Sequence, residues 1–206
     1  MTVTIYDHEL PYETHNLYDI SFFSTNIRTL LTYHSSRVTS WLHDVTRSPS
    51  SSLIGFDVEW RPNFQRNQDN RIATIQLCTG TNCLIYHIIH ADTIPQSLVN
   101  FLNNTDYTFV GVGIGTDVEK LLDDYGIGVG KFVDLRAVAA SVCGIRELKN
   151  AGLKELTRVV LEKEISKPKS VTMSRWDNSW LTSAQVMYAC VDAYVAYEIA
   201  RVLNVV

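Results

Sequence analysis

Apolar positions along this chain recur with two periods, and the switches between them mark out the elements. Alternation over residues 2–6, and again over 16–25 with Leu17, Ile20, Phe22 and Phe23, predicts two opening strands joined through Pro11. Val38, Trp41, Leu42 and Val45 return at helical spacing, which predicts a helix over 35–45. A serine run, Ser50 to Ser52, then breaks the pattern before the apolar stretch Leu53–Trp60. Strands are expected over 72–78 and 82–88, a short helix over 94–102 and a further strand over 108–113. After these come a helix from Thr116 to a stop at Gly126, a strand over 132–135, and helices over 134–142, 152–161 and 182–202. Residues 61–71 and 163–178 read as polar loops, the second one basic. Strands first and strand–helix alternation later predict an α/β fold with a mixed sheet flanked by α-helices.

Polar residues inside these apolar patterns are the candidates for chemistry. Asp57 and Glu59 stand two apart on the 53–60 strand, so both project from one face. Adjacent carboxylates repel, and a cation between them removes the penalty; hard oxygen ligands suit Mg²⁺ or Mn²⁺. Taken alone the pair also fits a solvated strand end. Asp117 follows Gly111-Val112-Gly113-Ile114-Gly115 at the start of a helix, where an acid serves equally as a cap. The glycines do not match a dinucleotide fingerprint. On the final helix Tyr188 and Asp192 are four apart and share a face beside core positions. A carboxylate there is costly unless paired or bound to metal.

The order Asp57-x-Glu59, Asp117, Tyr188-x₃-Asp192 resembles the DEDD superfamily of 3′→5′ exonucleases in its tyrosine branch. The histidine branch places His five residues before the last Asp, and Met187 stands there. The match to the Werner-type exonuclease domain adds Ile75-Gln76-Leu77-Cys78, Phe132-Val133-Asp134-Leu135, Gly152-Leu153-Lys154-Glu155-Leu156, and Lys169-Ser170 with Ser174-Arg175-Trp176. It runs from about Val3 to Val202, so residues 1–206 are expected to form one exonuclease domain.

The resemblance implies an RNase H-like sheet and two divalent ions, Mg²⁺ or Mn²⁺, held by Asp57, Glu59, Asp117 and Asp192, about 3.5–4 Å apart. It implies that Asp57 is shared by both ions and that Tyr188 orients the attacking water. The product would be a nucleoside 5′-monophosphate. Trp60 and Phe64, just past the acidic pair, are candidates for base contact, with core packing as the other reading of Trp60. Lys163, Lys167, Lys169 and Arg175 are candidates for phosphate contact, against ordinary solvated charge. Trp176 is expected to pack the basic loop onto the domain, and His87 and His90 to have no special role.

Composition narrows the substrate. A net charge of −4 argues against coating long duplex through a broad basic face, and leaves room for a short nucleic-acid end held by metal ions and a few local cations. Cys78, Cys83, Cys143 and Cys190 form no zinc-type spacing and are expected to be reduced thiols of an intracellular, cytoplasmic or nuclear, protein. No signal peptide or membrane span is expected. No appended helicase is expected within these 206 residues. Among small Werner-like proteins, the plant RISC-interacting clearing exoribonucleases are the nearest resemblance. It implies single-stranded RNA as substrate, an Argonaute or RISC partner and a homohexamer, with Phe22 and Phe23 either at an interface or in the core. A Werner-like DNA exonuclease and a non-catalytic scaffold are the alternatives.

Overall fold

The computed structural model describes residues 3–47, 52–63, 65 and 68–205. Phe64, Ser50 and Ser51 lie outside them. The chain opens with β1 (Val3–Asp7), β2 (His15–Phe22) and β3 (Thr25–Thr32), an antiparallel meander. The strand expected over 16–25 therefore ends early, and a third strand was not foreseen. The cause is the turn: Phe22 pairs with Thr25, and Phe23 between them takes φ 54°. Two-residue hairpin turns need positive φ and normally announce it with Asn or Gly, and this one uses Phe-Ser.

α1 (Ser35–Arg47) follows, buried through Val38, Trp41 and Leu42. Then come β4 (Leu53–Trp60), β5 (Ile72–Thr79), β6 (Asn82–Tyr86), α2 (Gln96–Asn103), β7 (Thr108–Gly111), α3 (Ile114–Tyr125) and β8 (Phe132–Asp134). The chain finishes with α4 (Leu135–Cys143), α5 (Leu153–Val160), α6 (Lys169–Thr172) and α7 (Ser183–Val202). α6 is one turn inside the stretch expected to be irregular, starting just after Pro168, a residue preorganised for a helix start.

The described residues form one eight-stranded sheet in the order β1-β2-β3-β6-β5-β4-β7-β8. β4, β7 and β8 run parallel. β3 pairs parallel with β6, so the first half is not the purely antiparallel set its pattern suggested. α1, α2 and α3 cover one face through a cluster that includes Trp41, Phe56, Leu98 and Leu121. α4, α5 and α7 cover the other through Ile20, Ile85, Leu156 and Ile199. β5 lies at the centre and is buried at every position. α7 is buried on all sides from Ala189 to Tyr197, the pattern of a helix enclosed by its neighbours.

Candidate active site

β4 alternates in the way its sequence requires. Ile54, Phe56 and Val58 enter the α1–α3 cluster, which leaves Gly55, Asp57 and Glu59 facing α7. α7 comes down directly onto Gly55: a Cβ there would lie 2.0 Å from the Ala193 carbonyl oxygen and 3.0 Å from the Tyr197 nitrogen. That approach sets Asp192, next to Ala193, over Asp57. Carboxylate oxygens of Asp57, Glu59 and Asp192 all lie within 4.8 Å of one another. Gln76 and Thr74 are the cross-strand partners of Asp57 and Glu59, and the Gln76 amide donates to the Thr74 hydroxyl at 2.6 Å.

Asp117 arrives from the other side of the β4/β7 pair. Its helix α3 is capped by Gly113, which takes φ 77°, a left-handed conformation that favours glycine. Asp117 lies in the first turn of α3 and is not the cap, which removes the capping interpretation of its sequence position. The turn is braced by Asp134, the N-cap of α4. Its carboxylate accepts from the Gly113 backbone at 3.2 Å and from the Arg136 guanidinium at 2.5 Å. Asp117 is not one of the three acids converging within 4.8 Å, although its charge acts on Asp57 and Glu59.

The electrostatics are those of charge forced together. Burial, then the charges of Asp192 and Asp117, raise the Asp57 pKa well above the ordinary carboxylate range. Burial and then Asp57 do the same to Glu59, and burial raises Asp192. Asp117 is pushed up to about 7 by burial and then by Asp134. Burial and then the Asp192 charge drive the Tyr188 pKa far up, so its hydroxyl remains protonated.

Divalent metal fits this donor set on a feature of the site itself. Asp57 Oδ2 is shielded from solvent and has no hydrogen-bond partner among the described residues. A buried carboxylate oxygen left that way is costly unless a cation completes it, and three converging carboxylates offer the hard oxygens that Mg²⁺ and Mn²⁺ take.

The structure distributes the other candidates unevenly. Lys167 is inside the cluster: its Nζ is 2.5 Å from Asp192 Oδ2 and 5.0 Å from the Tyr188 ring centre. Lys163 sits over the rings of Phe22 and Phe23, at 5.6 and 5.1 Å; Phe23 at the hairpin tip is half exposed and Phe22 is core. Lys169 is exposed on α6, and Arg175 is tied to Asp177 at 2.7 Å. Trp60 packs on the opposite face of β4, with the Lys120 ammonium 5.5 Å from its ring centre. Trp176 is fully buried, 6.0 Å from the Tyr188 ring, and His87 ties its loop down by a hydrogen bond to the Trp176 carbonyl at 3.1 Å. Arg61, which the sequence did not single out, reaches Asp177 at 3.6 Å. The Gln76 and Asp134 roles were also missed, although Asp134 before a helical pattern carries a legible cap signal.

A mixed sheet with carboxylates from β4, α3 and α7 at its parallel edge defines a DEDD-type nuclease. Residues 33–206 match the family model for a 3′-5′ exonuclease. The chain is similar to a 3′-5′ exonuclease of Arabidopsis thaliana, 35% identical over 78% of this chain and 56% of the relative. It is also similar to the mouse (Mus musculus) bifunctional 3′-5′ exonuclease/ATP-dependent helicase WRN, 34% identical over 84% of this chain and 12% of that protein. The chain thus spans about half of the plant relative and a small part of the mouse one. The crystal structure of the Aedes aegypti Nibbler EXO domain shares the fold, with a TM-score of 0.72 at 23% identity, over 84% of this chain and 86% of that one. The chain belongs to the 3′-5′ exonuclease family.

Proposed function

We propose that this chain is a divalent-metal-dependent 3′→5′ exoribonuclease that removes nucleoside 5′-monophosphates from short single-stranded RNA. The convergence of Asp57, Glu59 and Asp192 within 4.8 Å, with Asp57 Oδ2 unpartnered, carries this reading. Asp57, Glu59 and Asp192 would hold one divalent ion, with Asp57 shared and Asp117 contributing to a second. When bound, such ions lower the pKa of a water and stabilise the leaving 3′-oxygen. The chain's own groups do the positioning. Tyr188, one helical turn before Asp192 on α7 and protonated, orients the attacking water. The Gly113 turn and the Asp134–Arg136 pair keep Asp117 in place. A polar cavity of about 360 Å³, lined by Asp57, Arg136, Asn150, Gly152, Lys167 and Asp192, receives the terminal nucleotide.

Single-stranded rather than duplex substrate is favoured by the net charge of −4, which gives no broad basic face for a duplex. RNA rather than DNA rests on the resemblance to stand-alone plant exoribonucleases, which also suggests RISC-associated fragments as substrate, an Argonaute-type partner, a homohexamer and a cytoplasmic location. The resemblance to the Werner-type exonuclease domain keeps a DNA exonuclease as the second reading. The test is release of mononucleotides from matched single-stranded RNA, single-stranded DNA and recessed duplex, with open or blocked 3′ ends, in Mg²⁺ and in EDTA. RNA with an open 3′ end should be degraded fastest. Faster loss of either DNA substrate refutes the RNA preference, and no Mg²⁺-dependent release from any open 3′ end refutes the enzyme.

A further inference from the structure

The stretch from Ile165 to Pro168 passes between two cavities. On one side lies the polar cavity of about 360 Å³ that contains Asp57 and Asp192. On the other is an apolar one of about 180 Å³, lined by Val3, Ile165, Pro168, Val171 and Met187. Ile165 is buried and anchors the stretch. Lys167, two residues on, extends its stem into the carboxylate cluster and places a cation where the acids converge.

One ammonium is a poor match for that cluster. It carries a single charge, pairs closely with Asp192 alone, and leaves Asp57 Oδ2 without a partner. A divalent ion on the same carboxylates brings more charge and more coordination, and it repels the ammonium beside it. The four-carbon stem of lysine turns without moving its backbone, and the polar cavity has room for the head.

We propose that Lys167 competes with divalent metal for Asp192, that the metal displaces its ammonium, and that the freed ammonium then contacts the phosphate at the 3′ end of the substrate. Metal loading and substrate grip are thereby coupled through one side chain. The inference rests on the metal-dependent exonuclease reading above and adds to it a residue that competes with the metal. Its consequence is unusual for a cation in an active site: removing it improves metal binding and weakens nucleic-acid binding.

The experiment titrates Mn²⁺ into wild type, Lys167→Met and Lys167→Arg, reading free Mn²⁺ by electron paramagnetic resonance. Breaking a buried ion pair is the work the metal is spared in Lys167→Met, so that variant should bind Mn²⁺ about 10- to 100-fold more tightly. Lys167→Arg, which keeps the charge, should stay near wild type. With Ca²⁺ in place of Mg²⁺, fluorescence anisotropy of a short labelled RNA should show weaker binding by Lys167→Met, by about tenfold. Should Lys167→Met not fold, the wild type answers directly: the Lys167 side-chain ¹⁵N resonance should shift on addition of Mg²⁺. Equal or weaker Mn²⁺ binding by Lys167→Met, or a Lys167 resonance that Mg²⁺ leaves unmoved, overturns the proposal. Wild type that shows the displacement but releases no nucleotide would sink the exonuclease reading and leave this one standing.

Discussion

Gly55→Ala tests the central packing claim, that α7 is seated on β4 closely enough to bring Asp192 to Asp57. The new methyl carbon would lie 2.0 Å from the Ala193 carbonyl oxygen, with the Ala193 carbonyl carbon and the Tyr197 nitrogen each at 3.0 Å. All three are backbone atoms of a buried helix, so no side chain can rotate away. Relief to ordinary contact requires α7 to move off β4 by about 1 Å or more, and overpacking of this kind costs about 1–3 kcal/mol. For a chain of this size that corresponds to a fall in Tm of roughly 2–12 °C. The functional loss should exceed the stability loss, because a displacement of about 1 Å in a catalytic constellation costs on the order of 100-fold. Thermal unfolding, Mn²⁺ titration and mononucleotide release measure the three consequences. Gly115→Ala is the control: a Cβ there meets nothing within 4 Å, and in the first turn of α3 alanine should be neutral or stabilising by up to about 1 kcal/mol. Gly55→Ala with wild-type Tm and wild-type Mn²⁺ affinity would refute the argument.

Asp57→Asn removes one of several repelling buried charges, so the metal-free protein should gain Tm while nucleotide release falls by at least about 1000-fold; loss of both would show that Asp57 holds the fold instead. Tyr188→Phe should lower turnover by about 10²- to 10⁴-fold with Mn²⁺ affinity kept, since the hydroxyl orients water rather than metal, and unchanged turnover would reject that role. His87 is pushed down to about 4 by burial, against an ordinary value of 6.5. The unfolded chain therefore binds more protons between those values, so stability from this group is complete above pH about 6.5 and is lost as pH falls towards 4. The loss should reach about 3 kcal/mol, and urea unfolding of His87→Gln should show a correspondingly flatter acid limb; an unchanged limb would exclude His87 as the source.

Much of this protein was legible in its residue pattern because it depends on local periodicity. The two-residue spacing of Asp57 and Glu59 put them on one face of a strand wherever that strand lay. The four-residue spacing of Tyr188 and Asp192 did the same on a helix. The strand over 53–60 and the helices around Trp41, Asp117 and Asp192 followed from alternation and stop signals. β3 did not, because its hairpin turns on Phe23 rather than on glycine or asparagine. The parallel pairing of β3 with β6 did not either, since strand direction is set by what lies between the strands and not by their own residues.

The site divides the same way. Which acids belong together could be read from their order along the chain, as a resemblance. How close they come depends on α7 resting on Gly55, a contact between residues more than a hundred positions apart. The basic loop shows the difference most clearly. In sequence Lys163, Lys167, Lys169 and Arg175 are equivalent cations on one polar stretch. Folded, they sit against an aromatic hairpin tip, inside the carboxylate cluster, in solvent, and against Asp177. Sequence by itself determined the kind of chemistry, because side-chain type and spacing travel with the chain. Tertiary structure alone decided which charge meets which, because a Coulomb interaction depends on distance through space, and only folding sets that distance.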